Sequence, residues 1–182
     1  MQSTSRDARD TPAVIFYSSA VLPIGRVWMA KTARGVVRVC LRSRSRSVFL
    51  SGVRDLLRGA EIEPRPDDAA LALVERQLRQ YFHGTRQEFS LPVDLRALTH
   101  FQRRVLEATA QVPFGKVVPY GVIAGAIGSP AASRAVGNAL GSNPVPILIP
   151  CHRIVASGGR IGGFTGGLRL KRKLLEVEGV VL

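Results

Sequence analysis

A cysteine and a histidine stand side by side near the C-terminal end of the chain, where they could supply a nucleophile and a base. Cys151 and His152 lie in the segment "PVPILIPCHRIV", between an apolar run broken by prolines and a glycine-rich stretch. A thiol attacks as its thiolate, which cations, helix N-termini and imidazoles favour, and Arg153 follows directly. Because neighbouring side chains of an extended segment point to opposite faces, we expect His152 to reach the sulfur only through a bend or a bridging water.

A base of this kind also needs a carboxylate that orients it. After residue 100 the only acidic residues are Glu107, Glu176 and Glu178. Glu176 or Glu178, both in the C-terminal stretch "LLEVEG", could take this part. The bare Cys-His pair has a second interpretation, a structural cysteine beside an ordinary histidine, because cysteine is among the most buried residue types.

The N-terminal half has the pattern of a small sheet followed by a helix. Runs of β-branched and aromatic residues between positions 13 and 53, punctuated by glycine and proline, predict strands and hairpins. Apolar residues at three- and four-residue steps predict an amphipathic helix over 66–84, capped by Asp67 or Asp68 and ended by Gly84. The extended stretch that follows is predicted to cross between two halves.

Short helices are predicted from Thr99 onwards, with Thr99 as the cap of the first. Two of them outline a helix-turn-helix. The second of these has Ser129 as its predicted cap and Pro130 in the first helical position, and it ends at Gly141. It is lined with alanine and glycine, and Arg134 is the only long side chain near its start. Tight packing on another helix explains this pattern. Close approach to the narrow DNA minor groove, with one arginine reaching in, explains it as well.

The chain is strongly basic, with 26 lysines and arginines against 13 acidic residues and a net charge of +13. Solubility, or the bias of an arginine-rich genome, would account for this balance. A polyanionic partner would account for it too, and a pI near 11.3 favours nucleic acid as that partner.

Several classes of protein are disfavoured by composition. Two cysteines and three scattered histidines allow no four-ligand zinc site of ordinary spacing, so we predict no metal and no cofactor. No apolar stretch approaches the roughly 20 residues that span a bilayer, and the polar residues 1–12 resemble neither a signal peptide nor an anchor. We therefore expect a cytoplasmic protein with reduced thiols and no membrane partner.

Five segments of the chain together resemble one family. They are "FGKVVPYGVIA", "SRAVGNALGSNP", "NPVPILIPCHRIV", "GGFTGG" and "LLEVEG", and they are similar to motifs of the O6-alkylguanine-DNA alkyltransferases, the methylated-DNA–protein-cysteine methyltransferases. The resemblance covers residues 97–182 almost without gaps, and it includes the helix and crossing segment over 68–96. The first 60 residues share only a general strand texture with the family.

The resemblance implies two domains. Residues 1–90, with a linker to about 97, would form an RNase H-like α/β domain, a small antiparallel sheet plus a helix. Residues 97–182 would form a mostly α winged helix-turn-helix domain that binds DNA and accepts the alkyl group.

The resemblance also implies a role for each matching residue of the reaction site. Cys151 would be the nucleophile that takes the alkyl group from guanine O6. His152 would be the base, acting through a bridging water, and Glu178 the carboxylate that orients it. Asn143 would tie the recognition helix to the active-site segment. Tyr120 would donate a proton to the purine and would also lie near the phosphate backbone.

Contacts with DNA are implied for a further set of residues. Arg134 would fill the gap left by an extruded nucleotide. Ser157 and the glycines after it would close over the base, with Phe164 as a wall of the pocket. The remaining implied contacts to DNA or to the base are Ser129, Ala135, Gly137, Arg153 and Thr165.

The activity that the resemblance implies is direct reversal of DNA damage. The alkyl group of O6-alkylguanine, or of O4-alkylthymine, would pass once and irreversibly to Cys151 after the base is flipped out of double-stranded DNA from the minor-groove side. Cooperative self-association along DNA, and a nucleoid location in a prokaryote, are further expectations. Two alternatives stay open: a lesion-sensing DNA-binding module without chemistry, and a cysteine hydrolase, which the adjacent Cys and His disfavour.

Overall fold

The computed structural model describes residues 13–58 and 61–182. The polar stretch 1–12, which was predicted to be neither a signal peptide nor an anchor, lies outside these ranges. In the N-terminal half, β1 (Ala13–Leu22), β2 (Gly25–Thr32) and β3 (Gly35–Cys40) pair antiparallel in chain order. A fourth strand, β4 (Ile62–Pro66), pairs parallel with β1 and gives the strand order β3-β2-β1-β4. The sheet is therefore mixed, and the prediction of an antiparallel sheet is corrected at this strand.

One helix covers each face of this sheet. α1 (Arg46–Leu56) packs on β2 and β3, and α2 (Asp68–Phe82) packs on β1 and β2. Because side chains alternate along a strand, Val27 and Met29 share the core that includes α2, whereas Ala30 belongs to the smaller core under α1. The sheet is thus the middle layer of the N-terminal half.

Helix α1 replaces the end of the strand region that was predicted over 13–53. The Ser45 hydroxyl accepts a hydrogen bond from the main-chain N–H of Val48 and so caps the helix. Three apolar side chains at helical spacing then turn to the same core: Phe49, Leu50 and Val53. Local capping and a helical apolar pattern outweigh the β-branched texture of this segment.

Helix α2 begins and ends where local signals predict. The Asp67 carboxylate accepts a hydrogen bond from the main-chain N–H of Ala70 at 2.8 Å. The chain leaves the helix at Gly84, which has a φ of 72°. Glycine adopts this left-handed conformation without the penalty that a Cβ imposes. The capping and ending predictions are confirmed, with Asp67 as the cap.

The C-terminal half is built of helices. α3 (His100–Ala110) carries a reciprocal capping box between Thr99 and Gln102. α4 (Tyr120–Ala126) and α5 (Ser133–Gly141) pack on each other and on α3. They form the expected helix-turn-helix.

The second helix of this pair starts later than predicted. Ser129 and Pro130 belong to the turn, in which the Ala132 N–H donates to the Ser129 carbonyl at 2.8 Å, and no side chain caps α5. The turn is long because Gly128 takes a φ of 69° after α4 and redirects the chain. The prediction that Ser129 caps α5 is therefore wrong, and Arg134 becomes the second residue of the helix.

A short strand pair joins the helix-turn-helix to the segment of Cys151. β5 (Val118–Pro119) pairs parallel with β6 (Ile154–Val155), which directly follows the turn of Cys151. The pair brings the first residue of α4, Tyr120, towards the cysteine. The last helix, α6 (Leu168–Val177), packs on the same turn.

The two halves share one apolar core. Leu78 and Tyr81 of α2 belong to the same buried cluster as Leu174 of α6 and Ile154. The Val39 N–H also donates to the Pro144 carbonyl at 2.8 Å, from one half to the other. No helix within residues 13–58 and 61–182 is long and apolar enough to cross a membrane.

Candidate active site

The segment of Cys151 is a tight turn and not an extended strand. Residues Cys151–Arg153 form one 3₁₀ turn, in which the Arg153 N–H donates to the Pro150 carbonyl at 2.9 Å. Cys151, His152 and Arg153 are all buried. The main chain therefore bends at these three residues, and neighbouring side chains do not point to strictly opposite faces.

Cys151 is held by an asparagine. The Asn143 side-chain amide lies 3.2 Å from the Cys151 sulfur as donor and 2.9 Å from the Ile149 carbonyl. Its own oxygen accepts from the Val145 N–H at 3.0 Å, which fixes the amide orientation. Asn143 therefore ties the end of α5 to the active-site turn.

Burial raises the pKa of the Cys151 thiol to about 11. The Asn143 amide, the positive charge of Lys171 and the main-chain N–H groups of Cys151 and His152 pull in the opposite direction without outweighing burial. At neutral pH the unliganded protein therefore carries a thiol at this position, and a base is needed to generate the thiolate.

His152 is fully buried and bonded to a carboxylate. Its Nε2 lies 2.7 Å from Glu178 Oε1. A carboxylate can only accept, so the proton of the neutral ring sits on Nε2 and the lone pair on Nδ1. Nδ1 is buried and has no hydrogen-bond partner among the described residues. Burial lowers the pKa of His152 against the opposing effect of Glu178, so the imidazole is neutral and able to accept a proton.

Glu178 is the centre of a buried network of donors. Arg153 Nε donates to Oε2 at 2.9 Å and Arg153 Nη2 to Oε1 at 3.1 Å. The Gly115 N–H donates to Oε2 at 3.1 Å. Burial raises the pKa of Glu178, but the hydrogen bonds from His152 and Arg153 outweigh it and bring the pKa to about 2. Of the two glutamates proposed as orienters, the structure brings Glu178 to His152.

The placement of Arg153 corrects the prediction that it contacts DNA. Its guanidinium is buried, donates to both oxygens of Glu178 and donates through Nη1 to the Val112 carbonyl at 2.6 Å. A buried charge must be paired to be tolerated, and this arginine, together with His152, keeps Glu178 ionised. Its work is inside the protein.

Two residues of the site were not identified from the sequence. Tyr81 of α2 donates its hydroxyl to Glu178 Oε1 at 2.8 Å, although the pattern placed it only on the apolar face of a helix. Lys171 of α6 is fully buried, although the sequence suggested only a basic helix. A tyrosine on an apolar stripe and a lysine at a buried helical position are weak signals, because either can satisfy its polar end in many ways.

Lys171 fastens the glycine-rich loop to the active-site strand. Its ammonium donates to the Ile154 carbonyl at 2.5 Å and to the Gly163 carbonyl at 3.1 Å. Burial lowers the pKa of Lys171 to about 8, and the negative charge of Cys151 in its thiolate form would oppose this shift. The same Gly163 carbonyl accepts the Tyr120 hydroxyl at 3.3 Å.

A cavity of about 300 Å³ opens in front of the sulfur, within the usual size range of small-ligand sites. Several residues line it: Tyr120, Gly137, Leu140, Gly141, Cys151, Gly163, Phe164 and Thr165. Burial raises the pKa of Tyr120, so its hydroxyl keeps its proton. The Thr165 hydroxyl donates to the Gly141 carbonyl at 2.6 Å and joins the loop to the end of α5. Of the predicted site residues, Tyr120, Gly137, Cys151, Phe164 and Thr165 therefore meet around one cavity.

Other predicted contact residues lie on the surface. Arg134 and Ala135 are exposed on the first turn of α5, and Ser157 is exposed at the start of the glycine-rich loop. Ser129 is half-buried in the turn of the helix-turn-helix. None of these four lines the cavity. Within the described ranges, no three His, Cys, Asp or Glu side chains cluster in a way that could hold a metal ion.

Family models match both halves of the chain. Residues 100–180 match the DNA-binding domain of 6-O-methylguanine DNA methyltransferase. Residues 15–95 match the ribonuclease-like domain of the same proteins.

Curated relatives and solved structures agree with these matches. The methylated-DNA–protein-cysteine methyltransferase of Mycobacterium tuberculosis H37Rv is 46% identical over 113 residues, 62% of this chain and 68% of the relative. The inducible enzyme of that name from Bacillus subtilis 168 is 34% identical over 164 residues, 90% of each chain. The crystal structure of Mycobacterium tuberculosis OGT in complex with DNA has a TM-score of 0.76 and 36% identity, covering 90% of this chain and 92% of its own. The chain therefore belongs to the 6-O-methylguanine DNA methyltransferase family.

Proposed function

We propose that the chain repairs alkylated DNA by moving the alkyl group of O6-alkylguanine onto the sulfur of Cys151. One observation carries the proposal: Cys151 lines a cavity of about 300 Å³, and the next residue, His152, forms a buried pair with Glu178. The enzyme is a methylated-DNA–protein-cysteine methyltransferase, and DNA containing alkylated bases is its substrate. O4-alkylthymine is a second substrate that the same chemistry would accept.

The first step is removal of the thiol proton. The lone pair on His152 Nδ1 takes the proton of Cys151 through a bridging water, which leaves a thiolate and an imidazolium. The Glu178 carboxylate, 2.7 Å from Nε2, stabilises the imidazolium. Arg153 helps to hold Glu178 in its ionised form. The proton relay, formed by Cys151, His152, Glu178 and Arg153, therefore has a fixed negative charge beside the imidazolium that forms on His152.

The second step is the transfer itself. The thiolate attacks the alkyl carbon in line, the S–C bond forms and the bond from that carbon to guanine O6 breaks. The electron pair remains on the guanine, and the Tyr120 hydroxyl supplies a proton to the leaving purine. The product is a thioether, which no group in the site can hydrolyse, so each molecule acts once.

Access to the base requires that it leave the duplex, since its O6 substituent is otherwise held in the stack. We propose that α5 enters the minor groove, where its small side chains allow close approach. The exposed Arg134 then fills the space of the extruded nucleotide, with Ala135 and Ser129 against the backbone. Ser157 and the loop after it close over the base, with Phe164 as a wall of the pocket.

The remaining proposals concern organisation and location. Residues 1–90 and 97–182 act as two domains, the second of which binds the DNA. The net charge of +13 supports binding to a polyanion, and several copies are proposed to associate side by side on it. We propose a cytoplasmic location, on the nucleoid in a prokaryotic cell.

The test uses both cysteines. Cys151→Ser should abolish loss of O6-methylguanine from a duplex oligonucleotide while binding of that duplex is retained. Cys40→Ser, which removes the other thiol, is the matched control and should repair as the natural protein does. Repair that persists in Cys151→Ser would refute the assignment of the acceptor. A lesion-sensing module without chemistry would bind the duplex and leave the lesion in place in all three proteins.

A further inference from the structure

One side chain of the N-terminal half, that of Tyr81, contacts the relay residues of the C-terminal half. Tyr81 of α2 is fully buried, and its hydroxyl lies 2.8 Å from Glu178 Oε1 and 3.3 Å from His152 Nε2. Tyr81 and Glu178 are separated by 97 positions in the chain. The mechanism described above does not use this hydroxyl.

The tyrosine is fixed in place by other aromatic rings. The ring centroids of Phe82, Phe89 and Phe114 lie 5.2, 5.7 and 6.2 Å from that of Tyr81. Edge-to-face and tilted contacts of this kind add stability beyond the buried area. The hydroxyl is thus held at one place relative to Glu178.

The hydroxyl can act only as a donor towards the carboxylate. Burial, followed by the charge of Glu178, raises the pKa of Tyr81 far above its ordinary value, so the phenol keeps its proton. The Leu174 carbonyl is a second acceptor within reach, at 3.5 Å, but Glu178 is much nearer. Oε1 therefore receives His152 Nε2 at 2.7 Å, Tyr81 at 2.8 Å and Arg153 Nη2 at 3.1 Å.

We propose that Tyr81 is a positioning residue of the alkyl-transfer reaction, which fixes Glu178 Oε1 against His152 and sets how strongly that carboxylate stabilises the imidazolium. The proposal rests on the proposed relay. It makes the N-terminal half a working part of the site and not only a support for it.

The direction in which the pKa of His152 should change without the Tyr81 hydroxyl follows from the charges that surround His152. These are Lys171 on α6, Glu178 directly after that helix and Arg153 in the same turn as His152, with Tyr81 as the uncharged donor from α2. A donor that shares Oε1 spreads the carboxylate charge and weakens its pull on the imidazole proton. Without the Tyr81 hydroxyl, Glu178 should hold the proton on His152 more strongly, and the pKa of His152 should rise.

The experiment compares Tyr81→Phe with Tyr17→Phe in the full chain. Tyr17 is a matched control because it is also buried, but it lies in the smaller core under α1. The imidazole of His152 is titrated by ¹⁵N NMR without DNA, and the single-turnover rate of repair is measured against pH on a duplex with O6-methylguanine.

We expect Tyr81→Phe to move the His152 titration and the acidic limb of the rate profile to higher pH. On that limb repair should slow about tenfold, because a pKa raised by roughly one unit leaves more of the His152 imidazole already protonated and unable to act as the base. Tyr17→Phe should change neither curve. The Tyr81→Phe change added to Glu178→Gln should slow repair no further than Glu178→Gln alone, because Tyr81 acts through that carboxylate.

Two results would overturn the proposal. If the His152 titration does not move in folded Tyr81→Phe, Tyr81 has only a packing role. The same conclusion follows if the rate effects of Tyr81→Phe and Glu178→Gln multiply in the double variant as those of independent residues do. The titration needs no alkyl transfer. Failure of the unaltered protein to repair DNA would therefore count against the proposed function, while the titration would still test the role of Tyr81 independently.

Discussion

The buried relay and the exposed start of α5 solve different problems with the same kind of residue. In the relay, Arg153 is buried, donates to both oxygens of Glu178 and to a carbonyl, and has one fixed position. On α5, Arg134 is exposed. An arginine that fixes the charge of a buried neighbour must be immobile, whereas an arginine with the role proposed for Arg134 would gain its contacts only when DNA is present.

This contrast extends to energetics. Removing one partner of a buried ion pair leaves the other charge without compensation, so the proposed relay would couple folding to catalysis. Charges on the surface are solvated and screened, so the exposed start of α5 can change with little effect on stability. Substitutions in the relay should therefore reduce stability and rate together, and substitutions on α5 should reduce repair of DNA alone.

The largest effect is expected for Glu178→Gln. The change leaves the Arg153 guanidinium buried without a counter-charge and should lower the free energy of unfolding by about 3–5 kcal/mol. Loss of the charge that stabilises the imidazolium should slow transfer by roughly 100-fold or more. Denaturant unfolding and quenched single-turnover kinetics measure the two effects.

The matched control is Glu176→Gln, on the same helix but exposed. It should be neutral in both measurements. Equal effects of the two substitutions would show that the relay has no special part in either stability or rate.

Acid should weaken the relay in a defined window. The pKa of Glu178 falls from 4.5 to about 2 on folding, so the unfolded chain takes up its proton first as the pH drops. The stabilisation is complete above pH 4.5, is lost between pH 4.5 and about 2, and amounts to about 3 kcal/mol. Unfolding measured against pH should show this loss in the natural protein and lack it in Glu178→Gln. The same slope in both would contradict the assignment.

The smallest of the expected effects is that of a substitution at the exposed start of α5. Arg134→Ala should leave stability unchanged and slow repair of duplex DNA about tenfold, because part of the few kcal/mol needed to keep the base extruded is lost. Reaction with free O6-methylguanine should be nearly unaffected, since no duplex has to be opened. Arg172→Ala, an exposed arginine on α6, removes the same charge and serves as the control. Equal losses of reaction rate on duplex DNA and on free O6-methylguanine would contradict the proposed role of Arg134.

Sequence predicted the parts of this molecule that depend on local signals. The Asp67 cap, the Thr99 cap and the helix end at Gly84 follow from contacts within a few residues. β4 escaped prediction because Pro64 and Pro66 argue against a strand, yet an edge strand needs only one ladder of hydrogen bonds.

The candidate site also contains residues that local sequence signals identified and residues that they did not. The Cys-His pair and Glu178 were identified by motif, whereas Tyr81 and the inward turn of Arg153 depend on how α2 packs against α6. No sequence pattern near Tyr81 predicts its hydrogen bond to Glu178, which lies 97 residues away. Contacts between distant elements are decided by tertiary packing, which a single sequence does not display.

The most direct test of the central claim is mass spectrometry of the protein itself after reaction. The chain is mixed with an excess of a duplex that carries one O6-methylguanine, and its intact mass and its proteolytic peptides are measured. The account predicts that each molecule gains the mass of one methyl group in place of a hydrogen, that the gain lies on Cys151, and that it stops at one however long the mixture stands. An unchanged protein mass, a methyl group on another residue, or repair of more lesions than there are protein molecules would contradict it.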